Sequence, residues 1–423
     1  MQLERRSVVA RRGRAGSWEE IPLTNLWKPS RRAFIAGAAA ASGLAIDAGF
    51  ARVFAQGAGP IRIGVLNTFS KAVGLFGETT VRGMQVYLDE QGGTIAGRQV
   101  EIIREDDEFN PQVGLQKLRK LVESDKVHVV MGPIGSHIAI AMTDYMKQAG
   151  TPWLNTGAGA TALTRLRLPN MYRTTMSNWQ VASPMGEWSA RNGITDVAII
   201  TSDFIAGHEV ADAYKASLVA GGAKVAKEIY TPLGTNDFSA YLADIRSSGA
   251  AAIYAFLIGS EAGRFVKQFE QFGLKGKVRL TGFQPLLDSD TFPLQGRAAV
   301  GGLSSSIYCE TLDTPENRHF VELHSAKSKD YPGIMTESGY TSLRIVDDAA
   351  KAVGGEIENV AGFLEAVGKV DIVAPRGPLS FDPVTHQAIH NVYVREVAEQ
   401  DGRLVNKVVA TFEKVGDNPA NRA

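Results

Sequence analysis

From residue 60 to residue 282, short apolar runs alternate with helical stretches, and this alternation constrains the fold more than any other feature. IRIGVLN (61–67) reads as a strand. A helix follows from about Glu78, with Val81, Met84, Tyr87 and Leu88 at near-helical spacing, and Gly92-Gly93 ends it. RQVEIIRED (98–106) reads as a second strand, and Asn110-Pro111 opens the next helix with a cap residue and a first-turn proline. KVHVVMG (126–132) and TPWLN (151–155) are the third and fourth strands, with a helix beginning at Ser136 between them. A second series starts after Trp179, with strands at 196–203, 223–230, 251–257 and 277–282 and helices near 207–218, 238–248 and 261–273. Strands that alternate with helices of about 10–15 residues mean βαβ units and parallel sheets. Two series in a chain of 423 residues predict an α/β protein of two doubly wound lobes. The tail differs: a helix near 338–353 precedes a hairpin-like stretch from 379 to about 409.

The N-terminal segment reads differently from this body. Residues 1–55 carry nine Lys/Arg and four Asp/Glu; removing them from the 45 of each sign leaves 36 basic and 41 acidic residues. A mildly acidic body excludes the basic excess of a nucleic-acid binder. Ser30-Arg31-Arg32-Ala33-Phe34 leads into AFIAGAAAASGLAI, a stretch too short to span a bilayer, which needs about 20 residues. Small residues follow near Val53-Phe54-Ala55. The pair Arg31-Arg32 before such a stretch reads as a twin-arginine export signal over residues 1–55. The single cysteine, Cys309, excludes an internal disulfide and reads as a small buried hydrophobe. No cysteine follows the signal, so the expected product is a periplasmic protein without a lipid anchor.

The stretch TPWLNTGAGATALT contains Gly157-Ala158-Gly159-Ala160-Thr161-Ala162, which resembles a dinucleotide fingerprint. A genuine fingerprint follows the first strand of its unit, opens a long helix and has an acidic residue about 20 positions on. This loop follows the fourth strand and leads into LTRLRLPNMYRTT, so it is read instead as a place where backbone N–H groups approach a small ligand. No GxxxxGK[ST], HExxH or GxSxG occurs. His386 and His390 lie in an extended stretch, roughly 13 Å apart at the rise of a strand, too far to share a metal; they read as surface histidines. Asp106, Asp107 and Glu108 read as a solvated strand end. Neither a cofactor, a metal nor an enzyme activity is expected.

The chain resembles the leucine/isoleucine/valine-binding type of periplasmic substrate-binding protein of ABC transporters. The resemblance is carried by IRIGVLNTFS and GLFGE, GGTIAGRQVEIIREDDEFNP, and VVMGPIGSHIAIAMTDYMKQAGTPWLNTGAGATALT, and further on by TNDFSAYLADIRSSGAAAIYAF, EAGRFVKQFEQFGLKG and GPLSFDP. It implies a type I clamshell with a three-crossover hinge: one lobe of 60–178 plus 308–376, the other of 179–307 plus 377–415, and a tail of 416–423. It also implies an ABC permease as partner, a monomeric receptor and a ligand between the lobes. A Ser or Thr after the third strand and the loop after the fourth bind the ligand carboxylate in that family. Ser136 matches the first position, and Ala158, Gly159 and Thr161 the second. A helix beginning at Ser136 has orphan N–H groups that suit an anion.

Two departures bear on the ligand. The position that holds an ammonium group in amino-acid binders falls on Gln284, which is uncharged, and the usual tyrosine of the second lobe is Ala206, with Phe204 two residues earlier. A buried ammonium without a counter-charge is costly. Phe69, Phe76, Trp153, Phe204, Phe256, Phe283 and Tyr340 offer aromatic surface, about half of it expected to be core. The expected contacts are therefore Phe76, Phe204, Gln284 and Tyr340 beside Ser136 and the loop. The expected ligand is a small organic carboxylate without an amine, aromatic acids included. A branched-chain amino acid is the close alternative, an amide or urea-like compound the next, and a ligand-sensing regulator the reading from another class.

Overall fold

The computed structural model describes residues 9–12, 18–21 and 59–421. Val9–Arg12 and Trp18–Ile21 pair as a small antiparallel ribbon, a unit of its own. Arg31 and Arg32 lie outside the described residues. Among the described residues no helix is long and apolar enough to cross a membrane.

The first lobe is built on β1 (Ile61–Asn67), β2 (Thr94–Ile95), β3 (Arg98–Asp106), β4 (Val129–Met131), β5 (Trp153–Asn155) and β6 (Met171–Arg173), in spatial order β2-β3-β1-β4-β5-β6. Every neighbouring pair is parallel except β2–β3. Its helices are α1 (Gly74–Glu90), α2 (Pro111–Arg119), α3 (Ser136–Ala149) and α4 (Thr161–Arg165). β1 is apolar from Ile63 to Leu66, where both of its faces are covered. Ile61, Ile63 and Val65 join the core that includes Met84 of α1, whereas Leu66 joins Ile138 and Met142 of α3 on the other side.

The chain then enters the second lobe through α5 (Asn178–Arg191), which packs on α6 (Ile205–Ala220). Parallel strands β7 (Asp196–Ser202), β8 (Lys224–Thr231), β9 (Ala252–Phe256), β10 (Arg279–Phe283) and β11 (Leu303–Ser306) alternate with α6, α7 (Ser239–Ser247), α8 (Ser260–Gln271) and the short α9 (Phe292–Gln295). After β11 the chain forms α10 (Pro315–Ser325), α11 (Ile334–Ala352) and α12 (Val360–Gly368), and α11 packs on α1 of the first lobe. It returns to the second sheet as antiparallel β12 (Ile372–Ala374), β13 (Gly377–Phe381), β14 (Ala388–Gln400) and β15 (Arg403–Val415). The order of that sheet is β8-β7-β9-β10-β11-β14-β13-β12, with β15 also on β14. β12 pairs with β13 at the edge of this sheet.

The three-helix segment between β11 and β12 is held by a close helix contact. A Cβ on Gly83 of α1 would stand 1.8 Å from the Thr336 carbonyl oxygen, and one on Gly339 of α11 2.0 Å from that of Thr80. Only glycine lets the two backbones approach so closely, and tight packing gives each helix little room to retreat.

Several sequence expectations are corrected here. Asp107 is not a solvated strand end: it is fully buried, and its carboxyl accepts from Thr68 Oγ1 at 2.5 Å and from the Phe109 N–H at 2.9 Å. His390 is buried rather than on the surface, its pKa pushed down to about 3 by burial, and His386 stacks on Tyr172 with ring centroids 4.2 Å apart. Cys309 is buried as expected, and burial pushes its thiol up to about 12.

Two predictions follow from this packing. Gly83→Ala is expected to cost about 1–3 kcal/mol, because the α1 and α11 backbones must separate; urea unfolding measures it, and an unchanged midpoint would contradict the close contact. Burial pushes the Asp107 carboxyl up to about 6, well above the usual aspartate range, so the folded protein holds this proton more tightly than the unfolded chain. Its contribution is therefore fully stabilising below about pH 4 and lost as pH rises through about 6, a swing of roughly 3 kcal/mol at most. Measured by urea unfolding at pH 4 and pH 8, the wild type should lose stability relative to Asp107→Asn as pH rises. A constant difference would mean that Asp107 titrates as an exposed carboxyl.

Candidate functional site

The carboxyl ends of the parallel strands of both lobes converge on one cavity, the position at which open α/β sheets receive ligands. From the first lobe come Val73 and Phe76 before and within α1, Phe109 after β3, Ser136 at the start of α3 and Gly159 after β5. Phe204, Phe256, Phe283 and Gln284 come from the second lobe, at the ends of β7, β9 and β10. Asn178 enters from the first passage between lobes and Met335 from the start of α11. In the closed form about 40 Å³ of this cavity is free between its walls. A wider hollow of about 550 Å³ lies at the opposite ends of the second lobe's strands, around Gly193, Lys275 and Arg279, and is lined by that lobe alone.

The cleft is closed around this cavity. The ring centroids of Phe109 and Phe204, from opposite lobes, are 6.3 Å apart. The Ile334 N–H donates to Asp288 at 3.1 Å across the cleft. At the rim Gly259, with φ of 56°, lies so near the first lobe that a Cβ would meet the Ala72 carbonyl oxygen at 2.0 Å.

Aromatic rings dominate the wall. Phe204 stacks near Phe256 with centroids 5.9 Å apart, and Phe256 meets Phe283 edge-on at 4.9 Å. With Phe76 and Phe109 they make five phenylalanines around one cavity. No Asp, Glu, Lys or Arg is among the described residues that line it.

The polar groups are few and held from behind. α3 has Gly135 as its N-cap, without a side-chain cap, so its first N–H groups carry the helix's partial positive charge. Ser136 Oγ accepts from the Ala160 N–H at 3.1 Å, which leaves the hydroxyl proton to donate. Gln284 Oε1 accepts from the Ile307 N–H and from Ser306 Oγ, both at 3.3 Å, while its Nε2 is buried without a partner in the protein. An unpaired buried donor is costly unless something fills its place.

Two fully buried arginines shape the loops that carry these groups. Arg173, at the end of β6, donates to the Ala160 carbonyl at 2.7 Å and the Gly159 carbonyl at 3.4 Å. Burial lowers its pKa to about 10, against the pull of Asp417 and Glu209. Arg395, on β14, donates to the carbonyls of Gln284 and Leu287 at 3.4 and 2.9 Å and pairs with Asp288 at 3.2 Å. Asp288 is thereby engaged away from the cavity, and neither it nor Asp290 lines the wall.

The expected site residues separate into two groups. Ser136, Gly159, Phe76, Phe204 and Gln284 line the cavity. Ala158, Thr161 and Tyr340 do not. The Ala158 N–H donates to Asn155 Oδ1 at 2.9 Å, the Thr161 N–H to Glu209 Oε2 at 2.7 Å, and the Tyr340 hydroxyl to Glu90 at 2.6 Å on the far side of α11. Phe69 sits under the Arg104 guanidinium, and Trp153 is core, donating to the Gly132 carbonyl at 2.7 Å. Sequence reading missed Phe109, which follows an acidic run, and Met176, Asn178 and Met335, which stand where no strand end marks them.

Residues 60–403 match the family model for periplasmic binding proteins. A Leu/Ile/Val-binding protein homolog from Brucella abortus is 30% identical over 366 residues, 84% of this chain and 93% of its own length. Two solved solute-binding proteins of ABC transporters are similar throughout. One, from R. palustris in complex with benzoate, has a TM-score of 0.81 at 28% identity, covering 86% of this chain and 99% of its own. The other, from Rhodopseudomonas palustris HaA2 in complex with p-hydroxybenzoic acid, has a TM-score of 0.80 at 30% identity, covering 85% and 98%. The chain belongs to the periplasmic binding protein family, the substrate-binding receptors of ABC transporters.

Proposed function

We propose that this receptor captures a small aromatic carboxylate that lacks an amine and delivers it to an ABC permease at the inner membrane. It reaches the periplasm by the twin-arginine signal at Arg31-Arg32, acts as a monomer and carries out no chemistry on its ligand. The observation that carries this reading is the wall itself: five phenylalanines, three hydrogen-bonding side chains (Ser136, Asn178 and Gln284) and no acid. The carboxylate meets the Ser136 hydroxyl and the uncapped start of α3. The aromatic body lies among Phe76, Phe109, Phe204, Phe256 and Phe283, and Gln284 Nε2 supplies a neutral donor. An α-amino acid would bury its ammonium with no carboxylate on the wall to receive it, a cost of several kcal/mol. The benzoate and p-hydroxybenzoate held by the two similar solved proteins support the same class. The Brucella relative's name favours leucine, isoleucine or valine instead, and one experiment separates the two.

Residues 56–423 are to be titrated calorimetrically with benzoate, 4-hydroxybenzoate, phenylalanine and leucine. The acids are expected to bind at least ~100-fold more tightly than the amino acids, a difference of about 2.7 kcal/mol. Tighter binding of leucine or phenylalanine would overturn the reading and return the protein to the amino-acid binders. Gln284→Glu sharpens the test by placing a negative charge at the donor's position. It should weaken benzoate binding by about 100-fold or more, since like charges in a desolvated site repel strongly; an unchanged affinity would remove Gln284 from the site.

A further inference from the structure

Glu209, on α6 of the second lobe, reaches across the cleft. Its carboxylate accepts from the Thr161 N–H at 2.7 Å, from the Ala162 N–H at 3.3 Å and from Asn178 Nδ2 at 2.8 Å. The receptor's own side chain thus fills the N–H groups of a loop that the sequence assigned to the ligand.

The backbone behind these contacts is held by one guanidinium. The Ala160–Thr161 peptide group has its carbonyl on Arg173 and its N–H on Glu209. The preceding peptide group has the Gly159 carbonyl on Arg173 and the Ala160 N–H on Ser136 Oγ. Arg173 is fully buried and its Nε has no partner, so the two carbonyls carry its hydrogen bonding. Two adjacent peptide groups therefore join a cavity-lining hydroxyl in the first lobe to a carboxylate of the second. Hydrogen-bonded chains of this kind polarise one another.

We infer that Glu209 is the latch of the closed state and the positioning residue through which Ser136 feels closure. When the lobes part, Glu209 leaves the Thr161 and Ala162 N–H groups. When they close, it restores them and aligns the 159–162 backbone against Ser136. The same contact determines specificity, since a carboxylate already seated on those N–H groups leaves Ser136 as the anion position. The coupling to ligand rests on the function proposed above; the latch itself does not.

Amide hydrogen exchange of full-length mature protein, residues 56–423, tests the latch without any ligand. In the wild type the Thr161 and Ala162 amides should exchange slowly. In Glu209→Gln they should exchange ~10-fold faster or more, with strands 61–67 and 252–256 unchanged, because the opening is local. Equal rates in the two proteins would overturn the latch. If Glu209→Gln also speeds both strands it has lost its fold, and Glu209→Asp, one methylene shorter, then decides by the same comparison at 161–162. Benzoate is the probe for coupling: its dissociation from Glu209→Gln should be ~10-fold faster with little change in association, the usual signature of a lost closed-state contact. Unchanged dissociation would remove the coupling to Ser136. If benzoate fails to bind the wild type, the ligand class falls while the exchange data still decide the latch.

Discussion

A guanidinium removed from water must find acceptors for five N–H donors in a fixed plane, and this requirement organises the cavity. Arg173 and Arg395 turn part of that fork onto the carbonyls of the two loops that face each other across the cleft. Carbonyls drawn back toward a buried charge leave the opposite ends of the same peptide groups for other partners. In the first lobe those N–H groups serve Ser136 and Glu209. In the second, the loop that Arg395 draws in carries Gln284 with a buried donor that has no protein partner. Arg376 repeats the device at the hinge, where it donates to the Thr174 carbonyl and to Ser338 and pairs with Glu337. Such charges are expensive to bury and more expensive to orphan.

The fold was largely legible because period and punctuation agreed. β1 and β3 fall where the sequence placed them, Asn110 caps α2 by accepting from the Gln112 and Val113 N–H groups, and Asp401-Gly402 turns the β14–β15 hairpin with both residues at positive φ. What was missed has specific causes. α5 contains Pro184, which breaks the helical pattern in the sequence, yet the Ser177–Gln180 capping box starts it and its packing on α6 holds it. α1 begins at Gly74 rather than Glu78; its first turn, GLFG, is rich in glycine, a poor helix former, and so carries no helical signature in the sequence. Asp107 looks like the middle of a solvated acidic run, but the sharp turn at Glu108 and Phe109, both at positive φ, carries the chain away and leaves Asp107 beneath it. Pattern reading sees charge; it does not see which of three neighbouring carboxylates lies under a turn.

The site was legible in part for a related reason. Strand ends pointed to Ser136, Gly159, Phe204 and Gln284, since topology brings all such ends together. Thr161 and Ala158 follow the same strand end as Gly159 and yet turn away from the cavity, because their N–H groups are taken by Glu209 and Asn155. The small residues of TGAGATA are explained less by a ligand than by protein approaching from every side. A Cβ on Gly157 would meet Ile134 at 2.8 Å, and one on Gly159 would meet Asn178 Oδ1 at 2.3 Å. A glycine-rich loop after a strand marks close approach and leaves open what approaches.

That ambiguity bears on how this receptor treats charge. A cleft that bound an amino acid would need one group of donors for the carboxylate and an acid for the ammonium. Here Glu209, which crosses the cleft beside the loop, already accepts from three donors of the protein itself. The donors it occupies are equally withdrawn from a ligand carboxylate. On the function proposed above, what remains for a ligand is the Ser136 hydroxyl, the Gln284 donor and Asn178 on a ring-lined wall. The carboxylates that cross the cleft are met by the protein's own N–H groups, and the wall left to a ligand carries no charged side chain among the described residues.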